Sequence, residues 1–187
     1  MANKDAAFGL RPIGKVGQNR DAQGLSEYDI AASASAIYFN DPVEILSTGT
    51  IGVAAATDAL LGSLTGVFFT DATTSKPTFA NHLNASNTAT DIVGFVSDDP
   101  YQRFEIQSDG ATEATDVGQN ADIVYAAGSS PDFVSNVELD ESDHKDATAQ
   151  LRIIGISKDP ENNTAGSANV NLVVIINEHQ LKGTTGV

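Results

Sequence analysis

The chain has 187 residues, a formal net charge of −15 and no cysteine. This length suits one domain. The absence of cysteine excludes disulfides, thiolate nucleophiles and cysteine-bound zinc sites, and the acidic balance argues against a nucleic-acid-binding body. Apolar runs such as Leu172–Ile176 are at most five residues long, so we expect no signal peptide and no membrane span.

Residues 1–24 differ from the rest of the chain in charge. The first 20 residues contain four basic residues and one acidic residue (+3), which leaves 6 basic and 24 acidic residues (−18) for the other 167. A cationic segment before an anionic body is typical of an interaction arm. The segment is rich in glycine and poor in apolar side chains, which predicts an extended N-terminal arm without a core of its own.

Ordering this arm costs about 1–2 kcal/mol of backbone entropy per residue, so contacts must offset that cost. We therefore expect the arm to be mobile in the isolated protein and to lie across another chain in an assembly. Deleting residues 2–20 is expected to spare the fold and to weaken that assembly. The expected residues of contact with a neighbouring chain, apolar anchors and cations together, are Phe8, Leu10, Arg11, Lys15 and Arg20.

From residue 25 onward the chain reads as short β-strands separated by turn clusters. No stretch keeps a helical apolar period over three turns. The pattern predicts an all-β domain over residues 25–180, built as a single antiparallel sandwich or barrel with a jelly roll among the options, and a flexible tail over 181–187. The predicted strands include SEYDIA, VEIL, TIGVAA, LLGSLTGVFF, DIVGFV, YQRFEIQ, QLRIIGIS and NVNLVVIIN.

The last two of these stretches are predicted to pair as antiparallel strands, because both are rich in β-branched residues and a turn-rich connector joins them. The side-chain period of two places Ile154, Ile156, Leu172, Val174 and Ile176 on one buried face. It places Ile153, Val173 and Ile175 on the opposite face, so we expect both faces of this pair to be covered.

The acid cluster Asp98-Asp99, with Glu105 nearby, has two interpretations. It could hold a cation or act in catalysis, or it could form the corner of a hairpin between DIVGFV and YQRFEIQ. Pro100 follows the two aspartates, and Asp-Pro also occurs at Asp41 and Asp159, beside other predicted strands. Aspartate and proline favour turns, so the corner is the preferred interpretation.

Other motifs give no catalytic, cofactor or metal site. The stretch GLRPIGKV is close to a phosphate-binding loop, but Val16 stands where serine or threonine would hold magnesium. His82, His144 and His179 lack the spacing of a metal site. The loop with Asp140, Asp143 and Asp146 lacks the order of acidic residues that wraps calcium, and a solvated loop is favoured. The small-residue stretches AASASA (31–36) and GVAAATDA (52–59) suit either a subunit contact or plain surface strands.

Three stretches of the chain resemble a known family. The start MANKDAAFGLRPIGKVG, the middle GFVSDDPYQRFEIQSDG and the end RIIGISKDPENN with VVIINEHQLKGTTGV are similar to the capsid cement or decoration proteins of tailed bacteriophages. The resemblance implies a β-rich structural protein, often a homotrimer, that binds the major capsid protein on the outer surface of the virion. It implies no active site, no cofactor, and no nucleic-acid or membrane partner. The chain is therefore not expected to be an enzyme.

Two other functions stay open at this point. One is a receptor- or carbohydrate-binding module displayed on a virion, which exposed aromatic side chains in a shallow groove would favour. The other is an enzyme, such as a glycosidase, that uses two acids at a sheet face. A pair of carboxylates converging in a cleft with perturbed pKa values would favour the enzyme.

Overall fold

The computed structural model describes residues 2–17, 24–144 and 148–183, and these residues are nearly all β. They form thirteen strands and two 3₁₀ helices, Ala114–Asp116 and Glu141–Asp143. All paired strands run antiparallel. The predicted all-β class is therefore confirmed. Within the described part of the chain, no helix has the length and apolar character needed to cross a membrane.

Three sheets make up the fold. The five-stranded sheet has the order β1-β8-β13-β12-β9, and its strands are Arg11–Lys15, Gln102–Gln107, Asn171–Ile176, Leu151–Ile156 and Asn120–Ala121. The six-stranded sheet has the order β2-β7-β5-β3-β4, with β6 also paired to β5. Its strands are β2 Ser26–Asp29, β3 Pro42–Ile45, β4 Ile51–Val53, β5 Gly62–Thr70, β6 Pro77–Ala80 and β7 Val93–Ser97. The third sheet pairs β10, Ile123–Val124, with β11, Glu138–Leu139.

Each large sheet has its own cluster of buried side chains. The five-stranded sheet contributes Phe104, Leu172 and Val174 to one cluster, which also includes Ile123 and Leu139 of the small sheet. The six-stranded sheet contributes Val43, Leu64 and Val96 to the other, which Ile37 and Leu83 complete from the loops. Alternate residues of each strand fill these clusters, as the side-chain period of two requires. The opposite face of each large sheet points away from its cluster, although Glu105 and Gln107 on that face of β8 are buried.

The C-terminal strands β12 and β13 pair antiparallel as predicted. Leu172, Val174 and Ile176 are buried, which is also as predicted. The assignment of Ile154 to that face is wrong, because a bulge between Ile153 and Gly155 shifts the register. Ile153 is fully buried opposite Val174, while Ile154 points outward and is 36% exposed.

The N-terminal segment is extended, but it lies on its own domain. Residues 11–15 form edge strand β1 against β8, and Leu10 is fully buried in the core of the five-stranded sheet. Upstream, the backbone N–H groups of Lys4 and Ala6 donate to side-chain oxygens of Asn162 and Gln107, each at 2.9 Å. For residues 2–17, the expectation of an arm without a core is therefore wrong.

The same contacts argue against the expectation that residues 2–20 can be deleted without harm to the fold. Deletion would remove an edge strand and the Leu10 side chain, and truncating a buried leucine alone costs about 2–5 kcal/mol.

At the other end, residues 181–183 form a turn, in which the N–H groups of Lys182 and Gly183 donate to the carbonyl of His179. The rest of the predicted tail lies outside the described residues.

Candidate functional site

The Asp98-Asp99 corner connects the two large sheets. Strand β7 belongs to the six-stranded sheet and β8 to the five-stranded sheet, so they do not form the predicted hairpin. Asp98 accepts hydrogen bonds from the hydroxyls of Ser26 at 2.9 Å and Tyr28 at 2.7 Å. Asp99 lies 2.6 Å from the Lys15 ammonium and accepts the N–H of Tyr101 at 2.8 Å. Both carboxylates therefore fasten neighbouring strands to the corner.

The pKa values at this corner follow from the same contacts. The hydrogen bond from Lys15 lowers the pKa of Asp99. Partial burial and the neighbouring Asp98 raise the pKa of Tyr28 to about 12. His179, only 3% exposed, has its pKa lowered by burial, and its Nδ1 accepts the N–H of Leu181 at 3.1 Å. The arrangement keeps Asp99 ionised and His179 neutral at pH 7, which suits a structural joint.

The other candidate side chains for chemistry lie apart. The ring of His82 stacks on that of Phe133, with centroids 3.8 Å apart, and His144 lies 3.8 Å from a carboxylate oxygen of Asp116. Asp140 caps its own short helix by accepting the N–H of Ser142. The Asp146 position and the Asp143 side chain lie outside the described residues. Within the described ranges, no group of three or more metal-binding side chains is placed to hold an ion.

The outer face of the five-stranded sheet carries an unusual combination of side chains. Antiparallel register places Arg152, Ile175 and Arg103 in one row across β12, β13 and β8. The next row contains Val173, Glu105 and Arg11. The exposed bulge residue Ile154 lies beside them. We call this surface the arginine face, and it comprises Arg11, Arg103, Arg152, Ile154, Val173 and Ile175.

Most of the charge on the arginine face is not neutralised by the contacts described. Arg11 pairs with Glu105, the acidic residue of these rows. Arg103 donates to the backbone carbonyl of Lys15 at 3.0 Å, and Arg152 donates to the amide oxygens of Asn120 and Asn177 at 2.9 and 3.2 Å. These neutral acceptors orient two guanidinium groups without cancelling their charge, so the face is cationic on a chain of net charge −15.

The five residues predicted to contact another chain lie in different places. Arg11 belongs to the arginine face, and its guanidinium lies 4.4 Å from the ring centre of the half-buried Phe8. Lys15 is engaged with Asp99 at the corner. Leu10 is fully buried within its own domain, so its assignment as a contact with another chain is wrong. Arg20 lies outside the described residues.

The outer face of the six-stranded sheet is a second exposed apolar surface. Phe68 and Phe79 pair across β5 and β6 with ring centroids 4.7 Å apart, and Phe95 of β7 lies 6.2 Å from Phe79. Phe79 is 75% exposed and Leu25 is 47% exposed. We call this surface the aromatic face, and it comprises Leu25, Glu27, Asp29, Phe68, Phe79, Val93 and Phe95.

The two small-residue stretches meet at one apolar groove. Ala31, Ala34 and Ser35 from the first stretch, together with Gly52 and Val53 from the second, line a cavity of about 330 Å³ that Leu46 and Ile51 complete. The sequence indicated the stretches, but it could not indicate that they face each other. The groove is compatible with the subunit contact considered for them, and Ser35 is the polar side chain among its lining residues.

Sequence inspection missed both open faces, because each is assembled from strands far apart in the chain. The signal available was weak: outward residues at alternate positions that are arginine, isoleucine or phenylalanine. Comparison with known proteins adds no family. No family model matches the chain, and no curated protein and no solved structure matches it.

Proposed function

We propose that this chain is a structural virion protein that binds the outer surface of an assembled capsid lattice and stabilises it, as a cement or decoration protein does. The resemblance of its N-terminal, middle and C-terminal stretches to that family motivates the proposal. The partner is then the major capsid protein, the location is the capsid exterior, and no catalytic step is involved.

The arginine face is the observation that supports this function best. Arginine is enriched at the centre of protein interfaces, which is more apolar than the remaining surface and depleted in lysine and acidic residues. Arg103, Arg152, Ile154 and Ile175 give this face that composition, while the chain as a whole is strongly acidic. The hydrogen bonds of Arg103 and Arg152 to Lys15, Asn120 and Asn177 already restrain their guanidinium groups, which reduces the side-chain ordering that binding requires. The expected partner surface is acidic.

Modest affinity is sufficient for such a role. Any protein that binds only the assembled lattice shifts the assembly equilibrium toward it by mass action. A dissociation constant of ~1 μM corresponds to ~8 kcal/mol per site. Because a shell offers many equivalent sites, the total stabilisation grows with the number of copies bound.

The test compares two variants on capsids that lack this protein. The first, Arg152→Glu with Ile154→Ser, changes an exposed cation and an exposed aliphatic residue of the arginine face. The control, Lys76→Glu with Val124→Ser, makes the same kinds of change at exposed positions outside that face. Losing two central contacts should weaken binding roughly thirtyfold or more, while the control should bind like the parent. Equal binding by the two variants would refute the role of the face.

A second candidate function is a receptor- or carbohydrate-binding module on a virion. The aromatic face favours it, because Leu25, Phe79 and Phe95 line a shallow groove of about 410 Å³ with Thr65 and Asn81 at its side. The four tyrosines do not line this groove. Binding of the isolated protein to a glycan array, with loss of that binding in Phe79→Ala, would select this function over capsid binding.

A further inference from the structure

The aromatic face is not used by the proposed capsid contact, yet it has the properties of an interface. Its three phenyl rings form one connected cluster, and the most exposed of them, Phe79, lies on edge strand β6. Exposed apolar clusters rimmed by polar residues often mark a contact with a partner. The question is which chemistry the partner offers.

The charges on the aromatic face indicate which kind of partner it can bind. Register places Asp29, Val93, Phe68 and Phe79 in one row across four strands, and Glu27 lies opposite Phe95 in the next row. Glu27 and Asp29 are both exposed. The face therefore combines phenyl rings with carboxylates. A guanidinium group suits both, because it stacks on aromatic rings and pairs with carboxylates.

The same chain offers that chemistry on its other sheet. The arginine face presents guanidinium groups interleaved with isoleucine, which matches the carboxylates and rings of the aromatic face in both charge and apolar character. The chain already contains one such contact, since the Arg11 guanidinium lies over the Phe8 ring. We propose that a second copy of this chain docks its arginine face on the aromatic face.

This contact joins two different surfaces, so it is heterologous. An isologous contact between two aromatic faces would bring Glu27 and Asp29 of one copy near those of the other, which repel. A heterologous contact leaves each end of a pair with one unused face, and successive copies close into a ring or continue as an open chain. Self-association does not require a capsid. It uses the arginine face that the proposed function assigns to the capsid, so the two contacts compete, and a copy binds the capsid through this face only when no neighbouring copy covers it.

Sedimentation velocity from low to high micromolar protein tests the contact. The parent protein should sediment as species larger than a monomer, and added salt should dissociate them because it screens the charges. Glu27→Lys with Asp29→Lys should be monomeric, and so should Arg152→Glu, since each places like charges in the contact. An equal mixture of these two variants should associate again, because the intact arginine face of the first can dock on the intact aromatic face of the second. This recovery also shows that both variants are folded.

A second pair of variants probes the phenyl cluster. Phe79→Ser should weaken self-association by at least about tenfold, as expected for loss of an aromatic anchor. The control Leu181→Ser changes another exposed side chain, 51% exposed, and should associate like the parent. Both should keep the parent melting temperature.

Three outcomes would overturn the inference. They are a parent protein that stays monomeric throughout, association that Arg152→Glu leaves intact, and Phe79→Ser losing glycan binding but no self-association. Capsid binding separates this inference from the proposed function, because Phe79→Ser keeps the arginine face intact. That variant should still bind capsids if the proposed function holds, whether or not self-association fails.

Discussion

Asp41 should make the stability of this protein depend on pH in a direction unusual for an acidic residue. The side chain is fully buried at the start of strand β3, next to Asn40, whose carbonyl accepts the N–H of Leu10 at 2.9 Å. Burial raises the pKa of Asp41 to about 6, and hydrogen bonds from the Ser135 side chain and the Tyr38 backbone offset that rise only in part. Tyr38 and Tyr125 are the titratable neighbours.

The magnitude follows from linkage between protonation and folding. The folded pKa lies about two units above that of an unfolded aspartate, so ionised Asp41 destabilises the fold by about 3 kcal/mol at neutral pH. The folded state binds the proton first as pH falls, which means that stability rises between pH 7 and pH 4. Between pH 7 and pH 5 alone, this residue should contribute a gain of about 1.3 kcal/mol.

Urea unfolding followed by far-ultraviolet circular dichroism, at pH 5, 6 and 7, measures this gain. Other carboxylates also titrate, so the comparison is with Asp41→Asn, whose amide oxygen can still accept the N–H of Tyr38. The free energy of unfolding of the parent relative to the variant should rise by about 1.3 kcal/mol from pH 7 to pH 5. Parallel pH profiles for the two proteins would refute the reasoning.

Two further predictions concern backbone geometry and the corner. Gly9 has φ of 72°, and a Cβ there would lie 2.4 Å from Ser135 Cβ, so Gly9→Ala should cost well over the roughly 1 kcal/mol expected at Gly17, which has φ of 75° and open space around it. Thermal unfolding of both variants checks this, and similar losses would contradict the packing argument. Asp98→Asn with Asp99→Asn should change capsid binding only a few-fold, as titration on empty capsids would show. Complete loss of binding by a folded variant would mean that the corner is a functional site.

Strands could be predicted from the sequence where β-branched and other apolar residues follow one another closely. The C-terminal pair of strands is the clearest case. The sequence did not predict correctly which residues of this pair face the core. The bulge at Ile154 depends on how β12 pairs with its neighbouring strands and not on the residues of β12 alone. The expectation that both faces are covered also failed at Ile154, which is exposed. Its exposure is a property of the assembled sheet.

Two of the strands that sequence inspection missed are edge strands that contain proline, and a third, the two-residue β9, lies in a stretch read as a loop. Pro12 lies in β1 and Pro77 begins β6, and both strands pair on one side only. Proline lacks a backbone donor, so it is tolerated at an edge and makes the stretch read as a turn. The interpretation of residues 1–24 as a free arm failed for this reason, since the partner strand β8 lies about 90 residues away and supplies the pairing that the local sequence lacks.

The open faces were the least predictable feature, although their residues were all visible. Net charge sums over the chain and reports −15, while strand register decides which side chains become neighbours. Arg11, Arg103 and Arg152 are separated by about 90 and 50 residues in sequence, yet they lie on adjacent rows of one sheet. The same register gathers three phenylalanines and two carboxylates on the other sheet. A chain of one overall sign can thus carry two complementary surfaces, and it is their complementarity that makes binding between copies a specific expectation.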